Sequence, residues 1–230
     1  MKLFHRLAGI LAAFCLMIVL FVTSVEAVVY WTPGYFEQEY TKYNVLDQLP
    51  PMTMEDLLDV TDEMMDYLKG KREDLHVTTV MGGEEREFFN AREIAHMEDV
   101  QVLFLKAMSL RRICLSICIL CLALLLITKA PVRRVLPPSI CIGTGLFFGI
   151  TAVLAGIISS NFSKYFVIFH HIFFDNDLWI LDPATDMLIN IVPEGFFMDT
   201  AARIGLLFGL SSAVLFGLCL FLTLRGRRRA

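Results

Sequence analysis

Two adjacent histidines, His170 and His171, sit in the stretch VIFHHIFF among phenylalanines and branched aliphatics. A third, His96, lies in REIAHMEDV with Arg92, Glu93, Glu98 and Asp99 around it. Imidazole titrates close to neutral pH, so it can take or give a proton during a reaction. Glu93 precedes His96 by three residues. On a helix the two share a face, where a carboxylate would fix the ring's tautomer and raise its basicity. His5 falls in a basic flank and His76 on a strand surface, and neither carries an expected role.

Several kinds of chemistry are open to such residues. The spacing Glu93-x-x-His96 is that of di-iron helices, but those need a second such motif and further carboxylates on facing helices. None is present, and there is no Cys2His2 or His-Glu-x-x-His pattern either, so no metal and no cofactor is expected. No Gly-x-Ser-x-Gly nucleophile appears, and Ser159, Ser160 and Ser163 stand in an ordinary helix end, GIISSNFS. What remains is metal-free acid–base catalysis on a lipid-linked substrate, with the nucleophile supplied by the substrate. Either histidine cluster alone fits an aromatic belt that anchors helices at headgroup depth. Their convergence at one depth from distant parts of the chain favours chemistry. At this level His170 and His171 are both candidates.

The elements that must position them are set by a membrane. The chain has 230 residues, is 56% hydrophobic and has a mean hydropathy of +0.61, far from soluble globular composition. Leu7–Val25, Ile113–Thr128, Val135–Ser160 and Ile204–Leu224 are long and uncharged. A crossing takes about 20 apolar residues, so the second run must borrow from its flanks. Four transmembrane helices are expected. Lys2 and Arg6, then Lys129, Arg133 and Arg134, then RGRRR at the end all fall on one side, which the positive-inside rule makes cytoplasmic. Both termini are therefore expected in the cytoplasm of a multi-pass protein of a bacterial cell membrane. Arg111 and Arg112 fall at the opposite end of the second span and are expected to snorkel to headgroup phosphates. VEA before Val28 has the look of a cleavage site, but the apolar run exceeds a signal peptide's usual 7–15 residues, so it is read as a span. All six cysteines fall within spans, which excludes a disulfide framework outside the membrane.

The expected division is 1–27 for the first span, 28–110 for an extracytoplasmic segment, 111–160 for the second and third spans with their basic loop, 161–200 for a second outer segment, and 201–230 for the last span and basic tail. Both outer segments are acidic, which argues against nucleic-acid binding. TMEDLLDVTDEMMDYLKG predicts an amphipathic helix capped by Thr53 and ended by Gly70, with Leu57, Leu58, Thr61, Met64, Met65 and Leu68 on one face. HVTTVMGGEEREFF predicts a hairpin turning at Gly82-Gly83. DLWILDPATDMLINI predicts a second one, turning over Asp182–Asp186. The fold class is thus an α-helical integral membrane protein: four transmembrane helices with a small extracytoplasmic α+β cap.

FFNAREIAHMEDV, FHHIFFDNDLW and DMLINIVPEGFF, in that order, resemble the lipoprotein intramolecular transacylases of Gram-positive bacteria. The resemblance covers essentially the whole chain. It implies an enzyme that moves the sn-2 acyl chain of a diacylglyceryl-modified bacterial lipoprotein to the amine of its N-terminal cysteine, leaving the lyso form. Two histidines carry the family's chemistry, and they fall here on His96 and, through the signature Phe-His-x-x-Phe-Phe, on His170 with Phe169, Phe173 and Phe174. His171 then occupies a variable position. Arg92, Glu93, Asp99 and Trp179 join the phenylalanines as residues expected to bind or orient the substrate. The partners implied are the lipoprotein and membrane lipids. The reading from another class is a non-enzymatic membrane sensor or assembly factor that binds a partner through its acidic cap. A third is a phospholipase or lysophospholipase.

Overall fold

The computed structural model describes residues 2–228; Arg229 of the basic tail lies outside them. In chain order the helices are α1 (Lys2–Trp31), α2 (Tyr35–Lys42), α3 (Met54–Leu68), α4 (Ala91–Ile127), α5 (Val132–Ser160), α6 (Phe162–Phe173), α7 (Met187–Ile191) and α8 (Glu194–Arg228). Strands β1 (Thr78–Met81) and β2 (Glu84–Glu87) lie between α3 and α4. The chain divides into two compact units. One comprises 1–26, 108–160 and 203–230, and the other 27–107 and 161–202.

The first unit is built from α1, α5 and the apolar parts of α4 and α8, and all four helices are long and apolar enough to cross a membrane. Small residues let α1 and α5 approach closely. A Cβ on Gly143 would stand 2.6 Å from that of Ala13, and one on Gly9 2.6 Å from the Ser139 hydroxyl. Where lipid removes the hydrophobic drive between helices, such close packing holds them together. Ala8, Ala12, Cys121, Leu125 and Val135 pack into one buried cluster, and the Cys118 thiol donates to the Ala12 carbonyl at 3.3 Å. Phe208 of α8 packs edge-on to Phe21 and Phe147. Arg111 does not reach for headgroups: it pairs with Glu26 of α1. A carboxylate within reach neutralises the guanidinium inside the protein, so phosphate is not needed. The short apolar run 113–128 borrows its length from α4 itself, which is one continuous 37-residue helix.

In the second unit α3 forms as its sequence predicts. The Thr53 hydroxyl accepts from the Asp56 N–H at 3.0 Å and the Asp56 carboxylate accepts from the Thr53 N–H, completing a capping box. Leu57, Thr61, Met64, Met65 and Leu68 are buried, and Gly70 leaves the helix at φ 72°. β1 and β2 pair antiparallel across Gly82 and Gly83, whose φ of 63° and 85° are those of a two-residue hairpin turn.

The second expected hairpin is absent. The turn is there, with the Thr185 and Asp186 N–H groups donating to the Asp182 carbonyl at 3.0 and 2.8 Å, but no strands flank it. Residues 187–191 coil into α7 instead. Its apolar Leu188 and Ile191 are buried, and its Leu188 N–H is taken by the Glu93 carboxylate at 2.5 Å. That tertiary bond satisfies a helix-start N–H which a strand would have paired along a ladder, and strand preference yields to it.

Thr53→Ala removes one half of the α3 capping box and is expected to cost about 1 kcal/mol of stability. In detergent its thermal midpoint should fall while that of Thr53→Ser stays near the parent. An alanine variant as stable as the parent refutes the cap's contribution.

Candidate active site

Everything in this site belongs to the second unit. Asn90 caps α4: its side-chain oxygen accepts from the Arg92 and Glu93 N–H groups at 2.9 and 3.1 Å. Glu93 reaches back to the Asn90 N–H at 2.7 Å. This reciprocal box begins the helix, and His96 follows less than one turn after Glu93. His170 is on α6, which starts at Asn161, where the side chain accepts from the Lys164 N–H at 3.1 Å.

His96 and His170 come together. Their ring centres are 6.2 Å apart with planes inclined at 36°, and each is only 7% exposed. Phe174, also buried, touches both, at 5.3 Å from His96 and 5.6 Å from His170. Trp179 stacks on His170 at 4.7 Å and 29°, and the Phe166 ring lies 4.3 Å from it, tilted at 55°.

One contact fixes the tautomer of His170. Its Nδ1 lies 2.7 Å from the Phe166 carbonyl oxygen. A carbonyl only accepts, so Nδ1 carries hydrogen and the lone pair of the neutral ring is on Nε2. Burial pushes the His170 pKa below its ordinary 6.5; the Phe166 carbonyl opposes that shift and neighbouring His171 adds to it. At neutral pH the ring is therefore an uncharged acceptor. His96 Nδ1 is buried without a hydrogen-bond partner in the protein, an uncompensated polar atom of the kind that marks working sites more often than cores.

The other expected residues separate into holders and lining. Arg92 donates to the Asp177 carbonyl. Asp99 accepts from Asn176 at 2.8 Å, and Asn176 in turn accepts from the Leu178 N–H at 3.0 Å. Both residues of α4 thus hold the loop that carries Trp179 onto His170. Phe169 meets His170 edge-on at 5.5 Å, whereas Phe173 packs tilted against Phe169 at 4.7 Å and is half exposed. His171 is exposed and edge-on to Trp179.

Glu93 differs from expectation. It is fully buried, and its two oxygens accept from the Asn90 and Leu188 N–H groups rather than from His96. Backbone donors lie closer to a helix-start carboxylate than does the imidazole one turn on. Its task is to hold α7 against the start of α4. The sequence does carry the sign of this, since Asn90-x-x-Glu93 is a capping-box spacing. Asp186 was not singled out by sequence. It accepts from the Asp182 N–H at 2.7 Å and from Asn90 Nδ2 at 2.7 Å. Burial disfavours its charge, but these bonds, one from Thr185 and the charge of Arg92 outweigh that and hold its pKa below the usual carboxylate range. Phe166 was also missed, although it precedes His170 by one helical turn. Among the described residues no group of three or more His, Cys, Asp or Glu is placed to hold a metal ion.

Glu93→Ala strands the buried Leu188 N–H and the part-buried Asn90 N–H and is expected to cost about 2–4 kcal/mol. Hydrogen exchange should then quicken at Leu188. Exchange there at the parental rate contradicts the role assigned to this carboxylate.

A model of the family described as lipoprotein intramolecular transacylase Lit matches residues 10–197. The structure is similar to that of the membrane-integral lipoprotein intramolecular transacylase Lit from Bacillus cereus, at 25% identity and a TM-score of 0.81, covering 100% of both chains. Two variants of that protein, with a histidine changed to arginine or to alanine, match at a TM-score of 0.76 and 25% identity. They cover 98% of this chain and 95% and 96% of theirs. Comparison with curated proteins gives no match. The family match does not favour the sensor or assembly-factor reading. The chain belongs to the lipoprotein intramolecular transacylase family and is a membrane-integral acyltransferase.

Proposed function

We propose that the chain acts on a lipoprotein whose N-terminal cysteine carries a diacylglyceryl group, and transfers the sn-2 acyl chain to the cysteine amine with His96 and His170 as catalytic residues. The observation that carries this is the burial of two imidazoles from separate helices with their ring centres 6.2 Å apart. Donor ester and acceptor amine are parts of one molecule, so no acyl-enzyme is required. Holding amine and ester carbonyl together supplies a large effective molarity, which suits a site with no evident nucleophile of its own.

In the proposed course the amine nitrogen attacks the sn-2 carbonyl carbon, forming the C–N bond, while His170 Nε2 takes the amine proton. The His170 tautomer supports this role. His96 lies across from it and stabilises the oxyanion as it develops. When the C–O bond to glycerol breaks, the proton passes to the glyceryl oxygen, giving an amide and a free hydroxyl. Phe174 and Trp179 keep the rings dry, and Phe169 and Phe173 meet the acyl chains. Arg92 and Asp99 act as positioning residues through the Trp179 loop. The basic flanks support cytoplasmic termini, and with them a reading in which the segments 28–110 and 161–200 carry the site on the outer face of the bacterial membrane.

Expression in a cell that lacks other N-acylation, with mass spectrometry of a lipoprotein's N-terminal peptide, tests the reaction. Retained but relocated acyl mass is expected; loss of an acyl chain means hydrolysis and rejects transacylation. His96→Gln and His170→Gln should each lower the rate by about 10²-fold or more while membrane insertion is unchanged. Full activity in either variant removes that residue from the mechanism. The rate of the chemical step should fall on acidification, because protonation occupies the Nε2 lone pair. With the His170 pKa depressed, the midpoint should lie below 6.5. A midpoint above that value contradicts the buried, neutral base.

A further inference from the structure

α6 is short and bare: it has 12 residues, and past Lys164 in its first turn it carries no acidic residue, lysine or arginine. At about 1.5 Å per residue it is some 18 Å long, too short to cross a bilayer. An apolar helix of this length is either a buried core helix or a segment set in the membrane boundary. The first is ruled out by exposure. Val167, Ile168, Phe169, Ile172 and Phe173 are all exposed, Ile172 to 70%. These positions run around most of the helix, leaving His170 as its one buried residue, with Phe166 and Phe162 half-buried one and two turns before it. A helix apolar on nearly every side belongs in an apolar surrounding.

Chain connectivity says what that surrounding is. α5, long and apolar enough to span the membrane, ends at Ser160, and α6 begins at Phe162. With about 3.8 Å between successive Cα atoms, the start of α6 lies within about 8 Å of the end of a span. Lys164, in the first turn of α6, sits near the Tyr165 ring, its ammonium 5.6 Å from the ring centre. A lysine and a tyrosine together are the residue types that reach for headgroups at the boundary.

We propose that α6 is immersed in the bilayer leaflet, with lipid hydrocarbon covering Val167, Ile168, Phe169, Ile172 and Phe173. His170 then faces the site from the protein side of a helix whose other sides are in lipid. Extending the acyl-transfer reading above, the donor chain reaches the histidines by sliding along this face from within the leaflet, without crossing water.

Accessibility to a water-soluble maleimide in proteoliposomes tests the seating. Ile172→Cys, Val167→Cys and Glu84→Cys, the last on the exposed strand β2, are compared after subtracting the parent's own cysteines. Glu84→Cys should react at least tenfold faster than either α6 variant, although all three positions are exposed on the protein itself. Equal rates overturn the proposal. Because labelling needs no turnover, the ratio decides the seating of α6 whether or not the acyl-transfer reading stands.

Discussion

A carboxylate with no access to water must be met by donors, and in this protein the donors come from two places far apart in sequence. Glu93 accepts from the Asn90 N–H, which closes the start of α4, and from the Leu188 N–H, which begins α7. Asn90 also donates to Asp186 just before α7. The stretch after α6 is thereby fastened to the stretch that carries His96. Arg92 and Asp99 add their bonds to the intervening loop, so Trp179 is held where it can stack on His170. The distance between the two imidazoles follows from this fastening together with Phe174, which packs against both rings.

The proposed chemistry depends on keeping two rings uncharged in apolar surroundings. Phe174 lies against both, and the Phe166 carbonyl spends one nitrogen of His170 on orientation so that the other is available. In the proposed reaction this arrangement leaves no step that calls for a serine or cysteine nucleophile. An intramolecular transfer asks for a proton acceptor, a charge stabiliser and a fold that confines two groups of one substrate.

Much of this could be read in the sequence, though unevenly. The four spans were legible because hydrocarbon tolerates few alternatives to a long apolar helix. α3 and the Gly82-Gly83 hairpin were legible because cap and turn are local signals. The second hairpin was misread because its outcome is decided by Glu93, some 95 residues earlier. For the same reason Glu93 was assigned to His96, its neighbour on the helix, when its partners are backbone groups. Arg111 was sent to the lipid because Glu26 lies on a different helix. Local patterns named the residues, whereas long-range hydrogen bonds decided their duties.

The close contact of α1 with α5 has a consequence for the leader-like look of the N-terminus. α1 is the most enclosed of the four spans, with 39% of its most apolar window buried against 11–17% in the others. Gly9, Ala13, the Ala12 carbonyl and Glu26 are each occupied by α4 or α5. A peptidase cutting after Ala27 would take out the axle around which the other membrane helices are gathered and leave Arg111 a solitary charge beside hydrocarbon.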